Sequence, residues 1–241
     1  MPAPSVAAII PARHASTRFP GKPLVKIAGV PMLQRVYERT CEAQQIQAVF
    51  VATDDERIAE ACARFGAPVL MTRPDHPTGT DRLAEAARSL EHDVIVNVQG
   101  DEPLIAGFVI DAAVDALLEA EETPMSTVVH ALDDTARNDP NRVKVVLDRA
   151  GYALYFSRSP IPYRRQGALG GWQHVGLYAY RRSFLLEFVD LARTPAEKAE
   201  ELEQLRALEH GHRIRVAVIE GWQSLPVDVP ADVASVEALL S

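Results

Sequence analysis

The chain has 241 residues, of which 47% are hydrophobic and 24% charged, as expected of a globular domain with a sizeable core. No apolar run approaches the roughly 20 residues of a bilayer span, and a formal net charge of -8 argues against an extended nucleic-acid footprint. The segment Met1 to Ser5 lacks the charged region of a secretory signal, so we expect a cytoplasmic protein that binds neither nucleic acid nor membrane. Cys41 and Cys62 have no metal-site or disulfide spacing and are expected to be reduced and buried.

Strand-like and helix-like patterns alternate along the first half of the chain. Val6 to Ile10 is a continuously apolar run closed by Pro11, which is typical of a strand buried on both faces of a parallel sheet. Pro31 suits the first turn of an amphipathic helix. The following predicted elements are strand Ala48 to Ala52, helix Glu56 to Phe65, strand Val69 to Met71, helix Thr80 to Leu90, strand Val94 to Val98 and helix Val109 to Glu119. This order predicts an α/β fold with a doubly wound, mostly parallel sheet.

The pattern changes after about Met125. Val143 to Leu147 and Tyr152 to Phe156 flank a turn-like tetrapeptide, Asp148 to Gly151, and predict an inserted β-hairpin that forms a substrate wall or a subunit contact. The last predicted elements are helices Ser183 to Leu191 and Ala196 to Glu209, strand Ile214 to Ile219 and helix Ala231 to Leu240. Since no linker or repeat interrupts the chain, we expect residues 1–241 to form a single domain, with a hairpin and substrate-lid subregion at about residues 140–180.

The loop from Pro11 to Leu24, directly after the first strand, carries three cations, Arg13, Arg18 and Lys22. The chain has no acidic residue before Glu38. Loops beyond the carboxyl ends of strands line the ligand crevice of a doubly wound sheet, and cations with backbone N–H groups there can hold a triphosphate. The alternative is a solvated basic loop. The glycine spacing matches neither a P-loop nor a dinucleotide-binding turn.

Asp101 follows the buried strand Val94 to Val98 in the sequence Gln99-Gly100-Asp101-Glu102-Pro103. A carboxylate at this end of a buried strand can hold Mg²⁺, which takes one or two carboxylates together with phosphate oxygens and water. Asp101 is therefore the leading candidate for a metal ligand. The alternative is an aspartate that caps a helix or turn, and we interpret Glu102 as structural.

Four segments together resemble the 3-deoxy-manno-octulosonate cytidylyltransferase (CMP-Kdo synthetase) family, from about Val6 to about Asp232. They are the basic loop, the Asp101 segment, the run Thr72-Arg73-Pro74-Asp75-His76 with Thr78-Gly79-Thr80-Asp81-Arg82, and the hairpin from Val143 to Arg158. The resemblance implies a Rossmann-like nucleotidyltransferase fold and an Mg²⁺-dependent enzyme of lipopolysaccharide biosynthesis. Such an enzyme transfers CMP from CTP to the anomeric hydroxyl of 3-deoxy-D-manno-octulosonic acid (Kdo) and releases pyrophosphate. The hairpin and the resemblance both suggest a homodimer.

The resemblance also implies roles for the residues that match the family's motifs. Residues that match the nucleotide-binding segments are Arg13, Ser16, Arg18, Lys22, Arg73, Thr78, Gly79 and Thr80. Residues that match contacts to the sugar are Gln99, His174, Tyr178, Glu203 and Gln204. Asp101 and Asp228 match the two metal ligands, although without the family Asp228 suggests only a helix cap. The implied catalytic residues are Lys22, Asp101, Asp228 and Arg13.

Two departures from the family pattern and two other functions have to be considered. His14 and Phe19 replace other bulky residues, and the segment Gln166 to Gly171 is short and rich in glycine.

A CMP-sialic acid synthetase shares this type of basic loop, but there the lysine is usually followed by asparagine, and Lys22 is followed by Pro23. A non-catalytic nucleotide-binding regulator would not need both aspartates. A close Kdo analogue such as the 8-amino sugar, the number of Mg²⁺ ions and any general base are left open.

Overall fold

The structure is a computed structural model that describes residues 3–15, 19–166 and 170–240 of the chain. The chain forms two compact units, one made of Met1–Asp111 and Ser224–Ser241, the other of Ala112–Gln223. The single domain expected from the sequence stays a prediction. No helix among the described residues is both long and apolar enough to cross a membrane.

Strands and helices alternate along the first unit. In chain order they are β1 (Val6–Pro11), β2 (Lys26–Ile27), β3 (Val30–Pro31), α1 (Met32–Cys41), β4 (Ala48–Thr53), α2 (Glu56–Phe65), β5 (Val69–Met71), α3 (Gly79–Arg88) and β6 (Val94–Asn97). Helix α4 (Gly107–Leu118) begins in the first unit and ends in the second. The second unit continues with β7 (Met125–Ala131), β8 (Lys144–Leu147), β9 (Ala153–Ser157), β10 (Trp172–Arg181), α5 (Arg182–Phe188), α6 (Pro195–Glu200), α7 (Gln204–Glu209) and β11 (Ile214–Ile219). Helix α8 (Pro230–Leu240) returns to the first unit.

The larger sheet of the first unit is parallel, with β1 paired to β4 on one side and to β6 on the other, and with β5 beyond β4. Every residue from Val6 to Ile10 is at most 1% exposed, as expected of a strand covered on both faces. The chain runs from β1 to β4 and β5 and then crosses to β6 on the far side of β1. This reversal of strand order puts the loops after β1 and β6 side by side, where ligands bind in such sheets.

Local capping explains why the helix bounds around this sheet are close to those predicted. Asp55 accepts a hydrogen bond from the Arg57 N–H at the start of α2, and Gly66 ends that helix with φ of 77°. Thr78 and Asp81 form a reciprocal capping box at the start of α3. The predicted bounds of α2 and β5 are confirmed.

The second unit contains the inserted hairpin in a mixed sheet. β8 and β9 pair antiparallel, and Asp148 N–H donates to the Tyr152 carbonyl oxygen at 2.8 Å across the predicted turn. β10 pairs antiparallel with β7 and with β8, whereas β11 lies parallel to β7. The two units together confirm the predicted α/β fold class with parallel pairing and an inserted hairpin.

Three expectations about the fold were wrong or incomplete. The helix predicted over Ala196 to Glu209 is two helices, α6 and α7, because Glu201 adopts a left-handed conformation with φ of 51°. Strands β7 and β10 were not predicted as elements. Cys62 is buried as expected, but Cys41 is exposed at the last residue of α1.

Candidate active site

A cleft lies in the first unit where β1 and β6 end. Seven of the residues selected from the sequence line it: Arg13, Lys22, Thr78, Gly79, Gln99, Asp101 and Asp228. The other lining residues are Pro11, Ala12, Pro23, Met32, His76, Arg82 and Gly100. The cleft therefore combines the loop after β1, the loop after β6, the start of α3 and the segment before α8.

Lys22 lies between two carboxylates in this cleft. Its Nζ donates to Asp101 Oδ2 at 2.8 Å and to Asp228 Oδ1 at 3.3 Å. Because both carboxylates contact one ammonium group, their two contacting oxygens are at most about 6 Å apart. The exposed side-chain fractions are 15% for Lys22, 29% for Asp101 and 43% for Asp228, so a ligand can reach all three groups.

Backbone hydrogen bonds hold Asp228 at this place. The Val227 N–H donates to the Asp101 carbonyl oxygen at 2.9 Å, which ties the segment before α8 to the loop after β6. On the other side, Asp232 Oδ2 accepts the N–H groups of Asp228 and Val229 at 2.7 and 2.9 Å. The two aspartates are distant in sequence but adjacent in the cleft, because the residue directly before Asp228 is bonded to the Asp101 carbonyl oxygen.

The start of α3 forms another wall of the cleft. Thr78 and Gly79 line it, and the free N–H groups of a helix amino terminus favour a bound anion or polar ligand. Thr80 is buried in the first turn. Arg73 is not among the lining residues; its exposed guanidinium lies 3.7 Å from a carboxylate oxygen of Asp75 and of Glu85.

Two of the charged or titratable side chains that line the cleft, His76 and Arg82, were not selected from the sequence. Arg82 is buried, and its Nη2 lies 2.9 Å from Asp54 Oδ1. The His76 ring is hydrogen-bonded to Glu85. Burial tends to raise the pKa of Glu85, but hydrogen bonds from His76 and the Arg73 N–H outweigh it and lower that pKa. His76 lies in the segment Thr72 to His76 and Arg82 in the segment Thr78 to Arg82, and both segments resemble the family's. That resemblance could have identified these two residues as part of the site.

The structure describes only the ends of the basic loop. Ser16 and Arg18 lie outside the described residues, so their predicted roles stay predictions. The Gly21 N–H donates to the His14 carbonyl oxygen at 3.0 Å and joins the two ends. Gly21 has φ of 71°, and directly after it a short 3₁₀ turn begins at Lys22. Arg13, at the other end, is exposed and lines the cleft.

The remaining residues predicted to contact the sugar group together in the second unit. The His174 and Tyr178 rings on β10 have centroids 5.3 Å apart. Burial raises the pKa of Tyr178 well above its usual value, and the charges of Tyr180 and Glu203 add to this shift. Gln204, the first residue of α7, is buried and its Nε2 has no hydrogen-bond partner within the described ranges.

Hydrogen bonding defines the state of His174. Thr127 has one hydroxyl proton, and its Oγ1 donates to the Leu177 carbonyl oxygen at 2.7 Å. The contact of 3.0 Å between His174 Nε2 and Thr127 Oγ1 is then donated by the histidine, which leaves Nδ1 as an acceptor. Burial lowers the pKa of His174 to about 3, so the ring is neutral near neutral pH.

The chemistry of the donors in the cleft suits magnesium. Zinc sites use three or four protein side chains, most often histidine or cysteine, and among the residues that the structure describes no group of three or more His, Cys, Asp or Glu side chains could hold a metal ion. Mg²⁺ needs fewer protein ligands because it keeps several waters and uses substrate phosphate oxygens. Two adjacent aspartates that hold a cationic ammonium group between them fit that requirement.

The fold and the cleft define a nucleotide-binding α/β protein of the nucleotidyltransferase class. Residues 7–214 match the family model described as cytidylyltransferase. A more distant solved structure, the 4-diphosphocytidyl-2C-methyl-D-erythritol synthase of Anaerococcus prevotii, shares the fold with a TM-score of 0.63, 13% identity and coverage of 98% of each chain.

More similar proteins define the family further. The 3-deoxy-manno-octulosonate cytidylyltransferases of Syntrophotalea carbinolica and Geobacter metallireducens are each 53% identical to this chain, with 98% of both chains covered. A solved structure of CMP:2-keto-3-deoxy-manno-octonic acid synthetase complexed with CTP has a TM-score of 0.94, 42% identity and coverage of 98% of each chain. The chain therefore belongs to the 3-deoxy-manno-octulosonate cytidylyltransferase family.

Proposed function

We propose that this protein transfers CMP from CTP to the anomeric hydroxyl of Kdo and releases pyrophosphate. The observation that carries the proposal is the contact of Lys22 with both Asp101 and Asp228 in the cleft at the ends of β1 and β6. The chain aligns over nearly the full length of relatives whose names state that activity, and this supports the choice of substrates.

The reaction is an in-line displacement at the α-phosphorus of CTP. A bond forms between the sugar's anomeric oxygen and the α-phosphorus, and the bond from the α-phosphorus to the bridging oxygen of pyrophosphate breaks. Such transfers depend mainly on positioning and charge neutralisation, and they need no covalent enzyme intermediate. Arg13 and Lys22 bind the triphosphate and stabilise the charge on the departing pyrophosphate.

Asp101 and Asp228 are the residues that would hold Mg²⁺ at this site. When bound, the ion supplies positive charge beside the α-phosphate and lowers the pKa of a nearby hydroxyl group. Thr78, Gly79 and Thr80 at the start of α3 bind the cytidine part, with Arg73 nearby in sequence. Ser16 and Arg18 complete the phosphate-binding set.

The residues that match the family's contacts to the sugar are Gln99 in the first unit and, in the second, His174, Tyr178, Glu203 and Gln204. Kdo presents several hydroxyl groups, which a site can recognise with well-placed hydrogen-bond acceptors and donors. The neutral His174 offers Nδ1 as an acceptor, and the buried Gln204 has an amide donor at Nε2 that lacks a partner among the described residues. These two features support a polyhydroxylated substrate.

We also infer that the enzyme is a cytoplasmic homodimer of lipopolysaccharide biosynthesis. Within the described residues, β8 is the only named strand that pairs with β9, so β9 lies at an edge. Leu154 on β9 is 59% exposed. An apolar side chain on an edge strand supports a subunit contact at the hairpin. Sedimentation velocity tests it: a dimer is expected for the wild type, and Leu154→Glu should shift the protein towards the monomer.

A panel of keto acids tests the activity directly. The purified protein is mixed with CTP and Mg²⁺ and given Kdo, its 8-amino analogue or N-acetylneuraminate, and pyrophosphate release is measured. We expect turnover with Kdo, loss of at least about a hundredfold in Asp101→Asn, and little change in Asp93→Asn, a carboxylate at the opposite end of β6. A preference for N-acetylneuraminate, or equal rates for wild type and Asp101→Asn, would overturn the proposal.

A further inference from the structure

Asp228 lies in a stretch of chain that has no helix or strand of its own. Residues 224–228 form no regular secondary structure, and α8 begins only at Pro230. Packing of Val227 in a hydrophobic cluster with Met32 and Val236 anchors this stretch, and hydrogen bonds to neighbouring segments orient its backbone. The bond from the Val227 N–H to the Asp101 carbonyl oxygen is one of these, and it leaves the start of the stretch to be fixed by another contact.

That second contact is made by Glu102, the residue directly after Asp101. Glu102 is only 6% exposed and does not line the cleft. Its Oε1 accepts a hydrogen bond from the hydroxyl of Ser224, which is itself buried. A carboxyl group is costly to bury, and a hydrogen bond from Ser224 offsets part of that cost. The bond joins the loop after β6 to the first residue of the stretch that carries Asp228.

We propose that Glu102 is a positioning residue for the metal site, acting through Ser224. The dipeptide Asp101-Glu102 then has two tasks: its first residue supplies one metal carboxylate, and its second fixes the backbone that presents the other, Asp228. This inference rests on the proposed function, in which both aspartates hold Mg²⁺. The two ligands are far apart in sequence, so contacts between their segments set the distance between them, and the bond from Ser224 to Glu102 is one of these contacts.

The expected effect resembles that of other groups that orient metal ligands without touching the metal. Their loss typically lowers metal affinity or activity about 10- to 100-fold. Ser224→Ala removes the hydroxyl donor and should weaken metal binding about tenfold. Glu102→Gln keeps an oxygen acceptor at the same place and should stay close to the wild type. Ser126→Ala is the matched control, because it removes a buried serine hydrogen bond in the second unit, from Ser126 Oγ to the Ala113 carbonyl oxygen.

Two measurements separate positioning from simple stabilisation. The first is Mn²⁺ binding, followed by electron paramagnetic resonance with a non-hydrolysable CTP analogue present. The second is amide hydrogen exchange of Val227 and Asp228 in the metal-free protein, which should become faster in Ser224→Ala. In the Asp228→Asn background, Ser224→Ala should weaken Mn²⁺ binding no further, because the carboxylate that it positions is already gone.

The inference is overturned if Ser224→Ala lowers thermal stability as Ser126→Ala does but leaves Mn²⁺ affinity and amide exchange unchanged. It is also overturned if Ser224→Ala weakens Mn²⁺ binding by the same factor with and without the Asp228 carboxylate. Neither readout depends on turnover. A wild type that binds Mn²⁺ and the CTP analogue but transfers no CMP to Kdo would therefore contradict the proposed function alone.

Discussion

Replacing Lys22 with methionine should strengthen metal binding while it greatly slows catalysis. The ammonium group now compensates two carboxylates at 2.8 and 3.3 Å, so a metal ion without nucleotide has to displace it. At these separations a pair of charges interacts by roughly 1 kcal/mol in water and several-fold more in a protein interior. The three side chains are 15 to 43% exposed, so water screens their charges. Each ion pair therefore contributes about 1 kcal/mol.

These energies translate into a measurable change of affinity. We expect Lys22→Met to bind Mn²⁺ about thirtyfold more tightly than the wild type in the absence of nucleotide, since the two pairs contribute about 2 kcal/mol and about 1.4 kcal/mol corresponds to a factor of ten. Transfer of CMP should fall by about a hundredfold or more, because the charge on the leaving pyrophosphate loses a cation. Electron paramagnetic resonance of Mn²⁺ and a pyrophosphate-release assay measure the two effects.

Lys26→Met is the control, since Lys26 is an exposed cation on β2 that does not line the cleft. This variant changes the net charge equally and should leave both Mn²⁺ binding and turnover near the wild-type values. Equal or weaker Mn²⁺ binding by Lys22→Met would refute the reasoning, because it would mean that the ammonium group and the metal do not compete for the aspartates.

Three further predictions concern stability. Burial holds the pKa of His174 at about 3, below its value in the unfolded chain, so the unfolding free energy should fall as pH drops below about 6.5, and His174→Asn should reduce this slope in urea titrations. Glu197→Ala leaves Arg206 buried without its carboxylate partner at 2.6 Å and should cost about 3–5 kcal/mol by urea denaturation, with partial recovery when Arg206→Met is added. Gly107→Ala would place a carbon 2.8 Å from the backbone that follows α1 and should cost about 1–3 kcal/mol, whereas Gly79→Ala, with an ordinary 3.9 Å contact, should leave stability nearly unchanged.

Much of the first unit could be predicted because its signals are local. The apolar run of β1 and the cap residues around α2 are short patterns whose physical consequences do not depend on distant residues. β7 was missed because polar residues interrupt its apolar pattern. Ser126 and Thr127 are fully buried there, and each has a hydrogen-bonded carbonyl oxygen as partner, which the sequence does not reveal.

The candidate site shows the same contrast between residues with local signals and residues without them. Lys22 and Asp101 could be selected from the residues because each follows a recognisable buried strand, and parallel strands place such loops at one edge. Asp228 could be selected only through the family resemblance. The residues around it indicate a helix cap, and the structure does show such a cap, but with Asp232 as the capping carboxylate.

The position of Asp228 therefore depends on contacts that no short stretch of sequence specifies. The backbone bond from Val227 to Asp101 and the side-chain bond from Ser224 to Glu102 join the same two segments at neighbouring points. Two bonds at neighbouring points fix orientation as well as distance, whereas one would leave the segment free to rotate. Ser224→Ala, or a substitution at Glu102 that leaves no oxygen acceptor, should thus weaken Mn²⁺ binding more than Ser126→Ala does, although neither Ser224 nor Glu102 lines the cleft.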